Sequence, residues 1–164
     1  GTAFTPTVTG VAAVGSINST TVSVPDASST VSGLTGTGSV GSVTAAGAAA
    51  SFTTYTVTVA TGTNSYGTGN KFYVDGSVSP TLNLTEGQIY RFDQSDSTNS
   101  THPLRFSTTA NGTHAGGSEY TTGVTTSGTP GSSGAYTQIE VASGAPTLYY
   151  YCTNHSGMGG QINT

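Results

Sequence analysis

Apolar and polar residues alternate along several short stretches in the second two-thirds of the chain. In residues 54–60, TYTVTVA, the side chains of Tyr55, Val57 and Val59 fall on one face of an extended strand and the threonines on the other. Residues 71–76, KFYVDG, form a short apolar run that ends in an Asp-Gly turn signal. Both patterns predict strands that bury one face.

Similar runs recur toward the C-terminus, separated by glycines and small polar residues. They occupy residues 81–94, with a hinge at Glu86-Gly87, and residues 102–107, 136–143 and 147–152. In the second of these runs, Leu104 and Phe106 are predicted to share one side. The stretch from Thr108 to Gly134 is rich in Gly, Ser and Thr and is predicted to be mostly loop. No run has helical periodicity, so the pattern predicts an all-β domain, a Greek-key β-sandwich or barrel.

The first 51 residues follow a different pattern. Two segments, Val8–Ile17 (VTGVAAVGSI) and Val31–Val40 (VSGLTGTGSV), align with an offset of 23 residues. A flexible Gly/Ser/Thr linker is one interpretation, but the regular spacing of the valines favours a small β-repeat. The segment contains one charged side chain, Asp26, and is too small to bury much surface alone. We therefore predict an assembly or anchoring segment at 1–51, which packs against copies of itself or other structural subunits, and a β domain at 52–164.

Charge excludes several classes of partner. Charged residues make up 6% of the chain, against about 25% in ordinary proteins. The formal net charge is −4 with only three Lys and Arg, so no basic patch is available for nucleic acid. No apolar run approaches the roughly 18 residues of a membrane span, so no membrane partner is expected. Because the chain begins at Gly1, we expect a processed product or a piece of a longer protein.

The candidate chemistry is concentrated in the C-terminal sequence YYYCTNHSGMGGQINT. It contains the only cysteine, Cys152, the only methionine, Met158, and one of three histidines, His155. Each residue taken separately is ordinarily a packing or surface residue, but thiolate, imidazole and thioether together are donors that suit copper. A blue-copper site also needs a second histidine. We assign His102, which opens a predicted strand, and interpret His114, in the loop NGTHAGG, as a surface residue.

From about Ser51 to Thr164 the chain resembles a cupredoxin, the small blue copper fold. The segment LNLTEGQIYRF resembles the part of that family that precedes its first histidine, and the sequence YYYCTNHSGMGGQI resembles its ligand loop and last strand. His102 and Cys152 lie 50 residues apart, and the C-x2-H-x2-M spacing is similar to the short amicyanin-type loop. The resemblance implies a copper site in which Cys152 binds as a thiolate, His102 and His155 as neutral imidazoles, and Met158 as the weak axial ligand.

One position departs from the cupredoxin pattern. The family commonly has an asparagine after its first histidine, where it braces the ligand loop, and this chain has Pro103. Proline has no backbone N–H to donate, so we expect the ligands to be braced differently. We expect no enzymatic activity, because such a site has no open position for a substrate. Asp93 and Asp96 are predicted to cap a turn rather than act as acid and base.

A second resemblance covers nearly the whole chain. The long polar loops and the GTGSVGSVT run are similar to modules of virion structural proteins of marine cyanophages. This resemblance implies a fibre, decoration or other exposed virion protein, at the virion surface or otherwise extracellular, built from many copies. The alternative is a secreted or periplasmic electron-transfer protein with a redox partner. A third hypothesis is carbohydrate or cell-surface binding through tyrosine-rich loops such as those of Tyr120 and Tyr136.

Overall fold

The computed structural model describes residues 7–8, 31–32 and 50–164. The chain divides into two compact units, Gly1–Ala50 and Ser51–Thr164. Among the described residues, no helix is long and apolar enough to cross a membrane.

The described part of the first unit is one pair of short strands. Thr7–Val8 (β1) and Val31–Ser32 (β2) pair antiparallel, with Val8 opposite Val31. These two valines are equivalent positions of the sequence repeat, so the two copies of the repeat meet at this point. The remainder of both repeat segments lies outside the described residues, and the assembly role of residues 1–51 stays a prediction.

The second unit contains ten strands and two 3-10 helices. The strands are β3 (Thr53–Asn64), β4 (Gly67–Val74), β5 (Ser77–Val78), β6 (Leu82–Asn83), β7 (Ile89–Asp93), β8 (Leu104–Ser107), β9 (Val124–Ser127), β10 (Tyr136–Glu140), β11 (Leu148–Cys152) and β12 (Gly160–Asn163). The 3-10 helices are Ser97–Asn99 and Gly112–Ala115.

These strands form two mixed sheets that pack as a β-sandwich. The larger sheet has the order β5-β4-β3-β7-β10-β9 and the smaller has the order β6-β12-β11-β8. Pairing is parallel between β3 and β7 and between β12 and β6, and antiparallel elsewhere in both sheets. The predicted all-β class and sandwich architecture are confirmed, whereas the Greek-key connection and the cupredoxin family stay predictions.

Alternation along the strands builds the core between the sheets. Val57 and Val59 are buried while Thr54 and Thr56 are exposed, as the sequence pattern predicts. Fully burying one large apolar side chain stabilises a fold by about 1.5–3 kcal/mol. The largest buried apolar side chains include Phe72, Phe92, Leu104, Phe106, Ile139, Leu148, Tyr150, Met158 and Ile162.

The strands predicted at residues 54–60 and 71–76 are longer in the structure than their apolar runs. Strands β3 and β4 continue well past the predicted apolar runs and form a long hairpin that turns at Ser65 and Tyr66. The stretch from Thr108 to Gly134 is mostly loop, as predicted, and within it the four-residue β9 pairs along the edge of β10. The added positions of the hairpin are Thr, Gly and Asn, which are stabilised by pairing with the neighbouring strand and are not revealed by local alternation.

Candidate metal centre

The pairing of β8 with β11 brings the first histidine to the cysteine. Cys152 is the last residue of β11 and lies opposite Leu104 of β8. His102 precedes Leu104 by two residues, so it reaches the same end of the sandwich. Its Nδ1 atom lies 3.8 Å from the sulfur of Cys152. The register of β8 against β11 therefore brings together two residues that are 50 positions apart in the sequence.

The turn after β11 brings the second histidine to the same sulfur. His155 Nδ1 lies 3.6 Å from Cys152 Sγ. The centroids of the two imidazole rings are 4.5 Å apart, and the donor atoms of His102, Cys152 and His155 all lie within 4.8 Å of one another.

These separations suit a single metal ion. Metal–sulfur bonds of about 2.3 Å and metal–nitrogen bonds of about 2.0–2.1 Å, at a tetrahedral to trigonal angle, place sulfur and nitrogen about 3.5–3.8 Å apart. Both measured sulfur–nitrogen distances fall in this interval. The three predicted residues therefore form a group that could hold a metal ion, and the set of one thiol with two imidazoles suits copper or zinc.

The fourth predicted ligand, Met158, is buried three residues after His155. Its backbone carbonyl accepts hydrogen bonds from the Phe72 N–H at 2.9 Å and from the Ser79 hydroxyl at 3.0 Å. These two bonds fix the backbone of the ligand loop against β4 and the chain that follows β5. The role of Met158 as an axial ligand stays a prediction.

Burial controls the protonation of the donors. Burial raises the pKa of the Cys152 thiol, and hydrogen bonds from the backbone N–H groups of Asn154 and His155 partly oppose this rise. Burial, together with the charge of His155, lowers the pKa of His102 below its ordinary value of 6.5. At neutral pH the His102 imidazole is therefore available as a neutral donor, and metal binding would release the thiol proton of Cys152.

A buried glutamine fixes the backbone on both sides of Pro103. The Nε2 of Gln94 donates to the carbonyl of His102 at 2.8 Å, and its Oε1 accepts the N–H of Leu104 at 3.0 Å. Asn99 accepts the N–H of His102 on its own carbonyl at 2.8 Å. The His102 backbone is thus held by polar groups that are themselves buried.

Two further hydrogen bonds join the two ligand loops directly. The side-chain Nδ2 of Asn154 donates to the carbonyl of Thr101 at 2.8 Å. The backbone N–H of Thr153 donates to the carbonyl of Pro103 at 3.1 Å. Pro103 therefore takes part as an acceptor, and the bracing asparagine stands on the cysteine loop. This arrangement agrees with the expectation that the bracing differs from the cupredoxin pattern.

Both the backbone conformation at position 157 and the atoms around it require a glycine. Its φ is +75°, in the left-handed region that glycine adopts readily, and a Cβ at this position would lie 2.8 Å from Tyr66 Cβ. Its carbonyl accepts from the buried Lys71 ammonium at 2.6 Å and from Asn64 Nδ2 at 3.0 Å. The β3–β4 hairpin thus covers and anchors the loop that carries His155.

His114 is not brought to the sulfur, which agrees with its exclusion from the ligand set. It is exposed, but its Nε2 lies 2.8 Å from the backbone carbonyl of Cys152 and must carry the proton there, because a carbonyl only accepts. The prediction that Asp93 and Asp96 cap a turn is confirmed. The Asp93 carboxylate accepts the N–H of Ser95, and that of Asp96 accepts the N–H of Thr98.

Sequence reasoning missed the groups that hold the donors in place. Gln94, Asn64 and Lys71 lie in stretches whose pattern predicts ordinary strands and turns, and their partners are 8–93 residues away. The sequence gives no signal for these groups, because a polar residue in or just past a strand is ordinarily exposed and the burial of Gln94 and Lys71 is seen only in the structure.

Comparisons of the chain with protein-family models, with curated proteins and with solved structures found no match.

Proposed function

We propose that the Ser51–Thr164 domain binds one copper ion through His102, Cys152, His155 and Met158 and serves as an electron-transfer centre. The observation that carries the proposal is the convergence of two imidazole nitrogens on one buried thiol at 3.6 and 3.8 Å. Copper held by such donors supplies reversible one-electron exchange. Cys152 and His102 are buried and exclude water from the sulfur, whereas His155 is exposed and provides the contact with solvent.

The residues around the donors support this role by keeping their geometry constant. Gln94 fixes the His102 carbonyl, Asn154 ties one loop to the other, and backbone N–H groups point at the sulfur. Hydrogen bonds to a thiolate stabilise its charge and limit the movement of a site between two oxidation states. The donors thus require little reorganisation when the charge of the site changes.

The test is a titration of the metal-free protein with cupric salt. We expect intense absorption toward the red end of the visible spectrum at one copper per chain, and reversible one-electron cycling. Cys152→Ser should abolish the band, and His114→Ala should retain it because that imidazole bonds the Cys152 carbonyl and not the sulfur. Stoichiometric zinc binding with no band on adding copper would refute the copper proposal and leave a metal site.

The biological setting that we favour is a structural protein of a virion or a similar extracellular assembly. Support comes from the two uncharged repeat segments, Val8–Ile17 and Val31–Val40, and from the pairing of their equivalent valines, Val8 and Val31. An uncharged surface can be buried between subunits without desolvating charges. Sedimentation of the full chain over a range of concentrations tests this setting. A stable oligomer is expected, and a monomer that cycles with a redox partner would favour the secreted or periplasmic carrier instead.

A further inference from the structure

A cleft of about 390 Å³ lies beside the loop that carries His155. Its walls come from the β3–β4 turn, the chain around β5, and paired residues of β11 and β12. Its volume falls within the roughly 300–1,000 Å³ range of small-molecule sites.

The lining of this cleft contains no charged side chain. Apart from glycines and Val78, it consists of hydroxyl, amide and phenol side chains, with Thr81, Asn111, Tyr149 and Gln161 among them. A phosphate or carboxylate ligand would need a cationic or strongly donating partner. The lining therefore favours a neutral ligand that is rich in hydroxyl groups.

An exposed tyrosine provides an apolar surface at the edge of the cleft. Tyr66 lies at the hairpin turn, and 46% of its surface is exposed. Tyrosine presents a flat apolar face and a polar hydroxyl together, which suits a ligand with C–H faces and hydroxyl edges. Saccharide rings have this combination. Tyr136, by contrast, stacks on the Arg91 guanidinium at 4.0 Å and does not line the cleft.

The wall next to the ligand loop is already organised. Asn64 Nδ2 donates to the Ser79 hydroxyl and to the carbonyl of Gly157, both at 3.0 Å. The Ser79 hydroxyl in turn donates to the carbonyl of Met158. Asn111, which also lines the cleft, accepts the N–H of Gly157 at 2.7 Å. A preformed wall reduces the ordering cost of binding, and it joins the cleft to the loop of the metal centre.

We propose that this cleft binds a neutral glycan, with a saccharide ring stacked on Tyr66 and its hydroxyls bonded to the amides and hydroxyls of the lining. The inference does not rest on copper binding, since none of the predicted metal ligands lines the cleft. It replaces the tyrosines suggested by the sequence, Tyr120 and Tyr136, with Tyr66 and Tyr149.

The experiment is an NMR titration of the full chain, metal-free, with maltotriose, cellotriose and triacetylchitotriose in turn, and with an acidic oligogalacturonate for comparison. A saturable shift of the Gly157 and Gly159 amide resonances with at least one neutral sugar is expected. Tyr66→Ala should weaken its binding by about tenfold or more, and Tyr66→Phe should retain most of it. Phe52→Ala is the matched control, because Phe52 is 44% exposed and lies outside the cleft.

Three results would overturn the proposal. The first is that no neutral sugar produces a saturable shift at the cleft. The second is that the acidic sugar binds as tightly as the best neutral one. The third is that Phe52→Ala weakens binding as much as Tyr66→Ala. Urea unfolding of each variant, with Tyr66→Phe as the conservative replacement, separates a loss of the ring from a loss of the fold. Titration of Cys152→Ser distinguishes this site from the metal centre, since that variant should bind the sugar normally.

Discussion

His102 and His155 present the same atom, Nδ1, to the same sulfur, but their surroundings are opposite. His102 is 7% exposed, and its backbone is held by the buried side chain of Gln94 and by the carbonyl of Asn99. His155 is exposed and follows the strand by only three residues. Its loop is held mainly through backbone carbonyls, by Lys71 and Asn64 of the β3–β4 hairpin.

The difference shows two ways of placing a donor. On the His102 side, buried polar groups fix one backbone geometry, and removing any of them leaves another buried group without a partner. On the His155 side, a glycine permits a tight turn, and the hairpin packs over it. We therefore expect substitutions on the His102 side to destabilise the domain through lost hydrogen bonds, and substitutions on the His155 side to destabilise it through steric crowding.

The largest expected effect is that of Gln94→Leu, which tests the His102 side. Leucine cannot pair with the His102 carbonyl or the Leu104 N–H, and each buried group left unpaired costs about 1–3 kcal/mol. Urea unfolding of the metal-free protein should show a loss of about 2–5 kcal/mol in the free energy of unfolding. Gln88→Leu, at an exposed position, is the control and should change little. Equal losses in the two variants would contradict the comparison.

The sequence predicts the metal-donor residues better than the residues, such as Gln94, that hold them in place. Cys152, His155 and Met158 lie within seven positions of one another and include the only cysteine and the only methionine of the chain, so their spacing indicates a site. Alternation likewise predicts the buried valines of β3. The pairing of Gln94 with His102 depends on the three-dimensional path of the intervening turn, and nothing in the local composition distinguishes Gln94 from an exposed glutamine.

The next effect in size is that of Gly157→Ala, which tests the His155 side. A left-handed φ strains alanine, and the new Cβ would lie 2.8 Å from Tyr66 Cβ, so the hairpin must shift. We expect a loss of about 2–3 kcal/mol in the free energy of unfolding and weaker metal binding.

Gly144→Ala is the matched control for this crowding. Gly144 has φ of +69° and no heavy atom near the position of a Cβ, so it reports the backbone strain alone, about 1 kcal/mol. Crowding at Gly157 is the difference between the two variants, measured by urea unfolding. If the two losses are equal, the hairpin does not constrain the ligand loop.

The crowding also marks a limit of sequence analysis. The residue type at position 157 fits its backbone, because glycine readily adopts the left-handed φ found there. The approach of Tyr66 could not be predicted in the same way, because β3 and β4 extend through Thr, Gly and Asn positions that carry no apolar alternation. The length of that hairpin determines both the cover over Gly157 and one wall of the cleft.

The smallest expected effect is that of Asp96→Asn on the stability at acidic pH. It tests the His102 side, which carries a titrating carboxylate. Asp96 caps the 3-10 helix that leads to His102, and hydrogen bonds from the Thr98 hydroxyl and backbone N–H lower the pKa of its carboxyl below 3.8. The pKa of Asp96 is thus lower in the folded state than in the unfolded state, so between the two values the folded state binds fewer protons. Stability therefore falls as the pH drops through the folded-state pKa. Asp96→Asn keeps an acceptor for the Thr98 N–H but does not titrate, so its unfolding free energy should fall less steeply with acid. Gly157→Ala, in the ligand loop, changes no titrating side chain and should leave the slope of the acid profile unchanged. Urea unfolding at a series of acidic pH values measures the slopes, and parallel profiles for wild type and Asp96→Asn would show that the cap does not contribute.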